Sequence, residues 1–129
     1  MLLKGLYIND TVNKGRGVFT SAEITADTTI ELSPVIVMNA KDRALLDQTL
    51  LHDYIFVWGP KGDHCCMALG FVPMYNHSYE SNCEYFMDFG AQTILVKTVR
   101  VISAGEELTI NYNGDWNDPS KLWFDADPA

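Results

Sequence analysis

Three stretches of this sequence concentrate side chains that could do chemistry. Residues 74–82 read Met-Tyr-Asn-His-Ser-Tyr-Glu-Ser-Asn and place Asn76, His77, Ser78 and Asn82 within seven positions, just after an apolar run. Such side chains hydrogen-bond to nearby backbone and suit tight, irregular turns rather than strand interiors. Residues 105–112, Gly-Glu-Glu-Leu-Thr-Ile-Asn-Tyr, read as a turn, an acidic pair and a short alternating strand ending in Tyr112. Near the N-terminus, Lys14-Gly15-Arg16-Gly17 has two glycines one residue apart, which permits positive φ and close approach of a ligand to the backbone. No third glycine and no helix follow, so the dinucleotide-binding fingerprint is not met. Taken singly, the glycine-rich stretch and Asn76-His77-Ser78 are more often plain turns than functional sites.

His64, Cys65, Cys66, His77 and Cys83 raise the question of a metal. Structural zinc sites pair cysteines two to four residues apart, whereas adjacent Cys65 and Cys66 on a strand point to opposite faces. No metal is expected. A cysteine nucleophile paired with His77 has no supporting motif, and buried structural thiols are the better reading. Three cysteines, two of them adjacent, also argue against a disulfide framework and for a reducing, intracellular setting.

The balance of 17 Asp and Glu against 9 Lys and Arg gives a net charge of −8. This disfavours direct binding to nucleic acid, which needs clustered basic side chains. It serves solubility, and it also raises the local concentration of a basic partner. A chain of 129 residues, 47% hydrophobic and 20% charged, fits one globular domain. No apolar run reaches the roughly 18 residues of a membrane span. The N-terminal Met-Leu-Leu-Lys-Gly-Leu-Tyr carries Lys4 within its apolar part and reads as a first strand, not a signal peptide.

The elements that must position these residues are mostly short strands. Residues 2–20 read as two strands about the glycine-rich corner. Residues 29–38 are β-branched and apolar, with Pro34 pointing to an edge position or a bulge. Asn39 resembles a helix N-cap, and Leu45, Leu46, Leu50 and Leu51 form a stripe, so one helix is expected over about 40–52. Strands follow at 53–58 and 64–69, then a hairpin of 84–89 and 93–101 joined through Gly90, and a last strand to Tyr112. Asn113-Gly114 is a turn signal. Proline near the start of residues 118–124 allows one helical turn there.

Asn76-His77-Ser78 followed by Asn82-Cys83, then Gly105 to Tyr112, with Lys14-Gly15-Arg16-Gly17-Val18-Phe19 before them, resemble the ordered signatures of the SET-domain protein lysine methyltransferases. Asp53-Tyr54 also falls where many members carry a tyrosine. The matches span about residues 4–115. The resemblance implies a mainly β fold with one short helix, a β-clip of small sheets in which the second signature threads under a loop containing the first. It also implies S-adenosylmethionine as methyl donor, with S-adenosylhomocysteine as product. Family precedent assigns the cofactor to Lys14, Gly15, Arg16, Gly17, Asn76, His77 and Tyr112. It assigns the substrate lysine channel to Tyr54, Tyr85 and Tyr112, with Tyr112 the main catalytic residue. Tyr85 falls at the family's Phe/Tyr switch, where a tyrosine favours mono- or dimethylation.

The chemistry agrees with these residue types. Methyl transfer from a sulfonium to an amine is an in-line displacement, so the enzyme chiefly aligns two groups and excludes water. The amine must be neutral although a free lysine has a pKa near 10.4, and a nearby sulfonium and an apolar tunnel both favour the neutral form. Tyrosine rings wall off solvent while their hydroxyls orient the nitrogen.

The chain departs from many relatives in lacking cysteine-rich zinc segments before and after the domain. The tail, residues 116–129, is then expected to close the active site with Trp116, Trp123 and Phe124, or to pack them on the domain's own core. This minimal form is similar to SET proteins of large algal viruses and some bacteria. The viral kind acts as a dimer on histone tails, which leaves a homodimer open here. The substrate implied is a basic, extended peptide, with a histone tail the leading candidate and a nuclear or chromatin setting if the source is eukaryotic or viral, otherwise cytoplasmic. No membrane partner is expected. Two rivals stand beside this reading: a non-catalytic SET-fold module that binds peptides or partners, and a methyltransferase of a non-histone basic protein. Retention of Asn76, His77 and Tyr112 together argues against the first.

Overall fold

In the computed structural model, residues 1–114 and 116–120 are described; Trp123 and Phe124, and the helical turn expected over 118–124 beyond Ser120, lie outside the described residues. Among these residues the chain is mainly β with one α-helix, the fold class the sequence implied. A first sheet has the order β1 (Leu6–Asp10), β2 (Arg16–Thr20), β9 (Glu107–Ile110), β6 (Asn76–His77). A second has the order β4 (Phe56–Trp58), β5 (His64–Ala68), β3 (Thr29–Met38), β8 (Thr93–Thr98), β7 (Cys83–Asp88).

The β1–β2 connection is stiff because Thr11 ties it at both ends. Its N–H and hydroxyl donate to the Gly15 carbonyl at 2.7 and 2.8 Å, and its oxygen accepts from the Lys14 N–H at 2.8 Å. Gly15 closes the turn at φ +72°, a conformation L side chains rarely adopt.

Strand β3 is the spine of the second sheet. It pairs with β8 over residues 29–34 and with β5 over residues 35–38. Pro34 sits at that handover on the central strand, opposite Thr93 of β8 and with its carbonyl accepting from the Leu69 N–H at 3.1 Å; it marks neither an edge strand nor the bulge. The bulge lies between Thr29 and Glu31. It breaks the two-residue alternation, which is why Ile30 and Glu31 are both fully buried. Beyond it the alternation is regular: Ser33 and Val35 face the core, while Leu32, Pro34 and Ile36 face outward.

The expected single helix over 40–52 is two pieces. Asn39 caps α1 (Ala40–Leu46) by accepting from the Asp42 N–H at 2.9 Å. Thr49 then restarts the chain as a new cap, its hydroxyl oxygen accepting from the Leu51 N–H over a 3-10 turn at Leu50–Asp53. A Thr competing for local backbone bonds is what ends the helix. The leucine stripe does not reach the core, since Leu45, Leu50 and Leu51 are exposed. The following strand is also shorter than expected, beginning at Phe56, and Asp53 and Tyr54 before it line a cleft. Cys65 and Cys66 are both buried free thiols on β5. Among the described residues no helix is long and apolar enough to cross a membrane.

Candidate active site

The site forms where residues 76–82 lie across strand β9. β6 runs parallel to β9, with Asn76 opposite Thr109 and His77 opposite Ile110. Asn82 completes the join: its side-chain oxygen accepts from the Thr109 N–H and its amide donates to the Glu107 carbonyl, each at 2.8 Å. A side-chain amide thus takes the place of a neighbouring strand's backbone. On the far side, Asn111 donates to the carbonyls of Tyr79 and Asp118 at 3.3 and 2.8 Å. These bonds fix where β9 ends and therefore where Tyr112 begins.

His77 is buried at the centre. Its Nδ1 accepts the Tyr112 backbone N–H at 3.0 Å, and its ring lies 5.1 Å from that of Tyr112. Accepting through Nδ1 requires that nitrogen unprotonated. Burial, and then the charge of Lys14, push the imidazole pKa down to about 4, so it is neutral at physiological pH. Lys14 donates from Nζ to the His77 carbonyl at 3.0 Å, which bridges the glycine-rich turn to the central signature.

The Tyr112 hydroxyl donates to the Tyr75 carbonyl at 2.8 Å. Burial pushes its pKa up to about 12, so it stays a hydroxyl. Tyr54 and Tyr85 stand close enough to contribute to that shift, and the Tyr85 hydroxyl reaches the Tyr112 carbonyl at 3.5 Å. Tyr85 meets Phe56 edge to face with centroids 5.7 Å apart.

A single cleft of ≈ 610 Å³ joins these parts. Its lining includes Lys14, Gly15, Arg16 and Asn76 together with Tyr54, Tyr85, Tyr112 and Asp53. Gly17 and His77, which the sequence also nominated, stand behind the wall. Gly17 is buried on β2 opposite Asn9, and a Cβ there would overlap Glu107 Oε2 and lie 2.8 Å from Asn76 Nδ2. Its role in the geometry is to admit the pair formed by Asn76 and Glu107, joined at 2.8 Å. Asn76 Nδ2 also donates to the Arg16 carbonyl at 3.1 Å. With both amide donors directed to the wall, the Asn76 oxygen is the atom left to accept from a ligand's ammonium.

Sequence reasoning missed Glu31, Tyr75 and Glu107. Glu31 is fully buried and accepts from the Tyr75 hydroxyl, the Ser33 hydroxyl and the Phe71 N–H. The signal was there, a lone carboxylate in an apolar strand, but its partner lies forty-four residues away. Trp116 is exposed, and its carbonyl accepts from the Ser81 N–H at 3.1 Å.

Residues 15–113 match the family model described as the SET domain. Over 127 residues the chain is 39% identical to a protein of Schizosaccharomyces pombe named histone-lysine N-methyltransferase, H3 lysine-37 specific, covering 96% of this chain and 80% of that protein. It is 31% identical over 124 residues to a Halocynthia roretzi protein named histone-lysine N-methyltransferase SETD7, covering 84% of this chain and 31% of that protein. A solved structure of a Plasmodium falciparum histone methyltransferase superposes with a TM-score of 0.64 at 24% identity, covering 89% of this chain and 98% of that one. At that identity the likeness speaks to fold alone.

Proposed function

Since the chain belongs to the SET-domain family of protein lysine methyltransferases, we propose that it methylates a lysine within a basic, extended segment of a histone, using S-adenosylmethionine. The main support is the single cleft that joins the loop of Lys14, Gly15 and Arg16 to the three tyrosines. The curated relatives' names supply the histone, and the net charge of −8, with Asp53 on the cleft wall, suits a basic peptide.

The residues present fit the cofactor. Space is open beside Gly15, where a Cβ would meet nothing within 4 Å. Lys14 and Arg16 offer cations for a carboxylate, and the Asn76 oxygen an acceptor for an ammonium. Gly17 and His77 act from behind, by admitting Asn76 and by holding the Tyr112 backbone. When bound, the cofactor supplies a methyl group on a sulfonium, whose C–S bond breaks as the C–N bond to lysine forms, the electron pair returning to sulfur.

Tyr112 does most of the alignment. Its hydroxyl proton is committed to the Tyr75 carbonyl, so its oxygen lone pairs point in a defined direction where the reacting groups meet. Tyr54 and Tyr85 wall off water from the neutral amine, and the proton the lysine sheds leaves to solvent. The Tyr85 hydroxyl crowds the channel and favours mono- or dimethylation.

The test is methyl incorporation from labelled S-adenosylmethionine into core histones, other basic proteins and acidic controls. Label on histone lysine is expected. Label confined to other basic proteins keeps the enzyme and overturns the histone assignment; label absent from lysine overturns the site. The mass of the protein in solution tests the homodimer.

A further inference from the structure

Burying a carboxyl group in a sheet is costly unless its oxygens are satisfied, and Glu31 is buried completely on the central strand β3. Three donors satisfy it. Oε1 accepts from the Tyr75 hydroxyl at 2.8 Å, while Oε2 accepts from the Phe71 N–H at 2.8 Å and the Ser33 hydroxyl at 2.7 Å. Phe71 and Tyr75 bracket the 3-10 turn Val72–Met74, so one carboxyl group grips both ends of this turn. The grip is close. Gly70 sits at φ +67°, and a Cβ there would overlap Glu31 Oε2 and come within 2.6 Å of Ser33 Oγ. Glu31, Val96 and Tyr85 also form one row across β3, β8 and β7, so the same stretch of sheet carries Glu31 and the channel tyrosine.

The carbonyl of Tyr75 is the acceptor for the Tyr112 hydroxyl. A hydroxyl rotor is set by the group it donates to. We propose that Glu31 is a positioning residue for methyl transfer, holding Tyr75 so that its carbonyl orients the Tyr112 hydroxyl. The inference rests on the assignment of Tyr112 made above. Glu31 and the Tyr75 ring do not line the cleft; they act through Tyr112 alone. Tyr75 is fully buried, and burial followed by the neighbouring Glu31 holds its hydroxyl pKa well above the ordinary tyrosine value, so it remains a donor at all working pH.

A double-mutant cycle tests this with histone H3 and labelled S-adenosylmethionine. Tyr75→Phe removes one bond to Glu31 and deletes no atom that touches Tyr112, since the carbonyl belongs to the backbone. It is expected to lower kcat about tenfold, with the cofactor Kd unchanged, because small misplacements of an aligning group are felt in the rate. In the Tyr112→Phe background, where there is no hydroxyl to orient, the same substitution is expected to leave kcat unchanged. If Tyr75→Phe does not fold, Ser33→Ala loosens the same carboxyl and enters the same cycle. Equal fold-losses in both backgrounds, or a loss in cofactor Kd matching the loss in rate, overturn the positioning role. A wild-type rate for Tyr112→Phe instead overturns the assignment of Tyr112, so the two failures are distinct.

Discussion

His77 makes the site sensitive to acid in a way that can be calculated. The imidazole ionises near 6.5 in an unfolded chain, and burial with the Lys14 charge holds it down to about 4 in the folded one. Between these values the unfolded state binds the proton and the folded state does not. Stability contributed by the neutral ring is therefore intact above about pH 6.5, falls as pH drops below it, and levels off below about 4. Linkage gives a loss of about 2 kcal/mol between pH 7 and pH 5. Other groups also titrate, so the assay is a comparison. Urea unfolding of wild type and His77→Asn is measured from pH 7.5 to 4.5. Asparagine offers an oxygen near the position of Nδ1, which preserves the acceptor for the Tyr112 N–H, and it does not titrate. The wild type should lose about 2.5 kcal/mol more than the variant over this wider range. Parallel curves would refute the assignment of a neutral, buried His77 that accepts from Tyr112.

Gly17→Ala places a methyl group against the Asn76–Glu107 pair, whose atoms are side-chain ends that can shift. It should cost about 1 kcal/mol of stability and weaken cofactor binding about tenfold, as read by calorimetry; an unchanged Kd would remove Asn76 from the cofactor site. Burial pushes the Cys66 and Cys83 thiols up to about 12. Both should resist alkylation at pH 8 until the protein is unfolded, and rapid labelling followed by mass spectrometry would show the core to be open. Tyr85→Phe removes the hydroxyl 3.5 Å from the Tyr112 carbonyl and widens the channel. The product should shift toward trimethyllysine in mass spectra, and an unchanged distribution would place the control of multiplicity elsewhere.

Individual turns and caps could be read in the sequence because their signals are local, whereas the threaded fold and the site residues came only through the resemblance of three ordered motifs. The Gly15 turn, the Asn39 cap and the β-branched, apolar run of β3 each depend on residues within a few positions. The helix expected over 40–52 ends at Leu46, and Thr49 starts a separate turn as a local cap within an apolar period that looked continuous. Pro34 misled because its meaning depends on which strand lies beside it, and that changes at Pro34 itself. Asn82 could be matched to a signature, but not the reason for it: its amide substitutes for a strand against Glu107 and Thr109. Glu31 stood out as a lone carboxylate in an apolar strand, but its purpose was hidden for the same reason. Its partners, Phe71 and Tyr75, are brought to it only when β3 and the segment after β5 pack together.

The most direct test of the central claim is the rate of methyl transfer to histone lysine by Tyr112→Phe, with cofactor binding measured on the same preparation. The phenylalanine keeps the ring that packs on His77 and loses the hydroxyl held by the Tyr75 carbonyl. A fall in kcat of about a hundredfold with cofactor affinity retained is the expected result. A variant that transfers methyl groups at the wild-type rate would contradict the account.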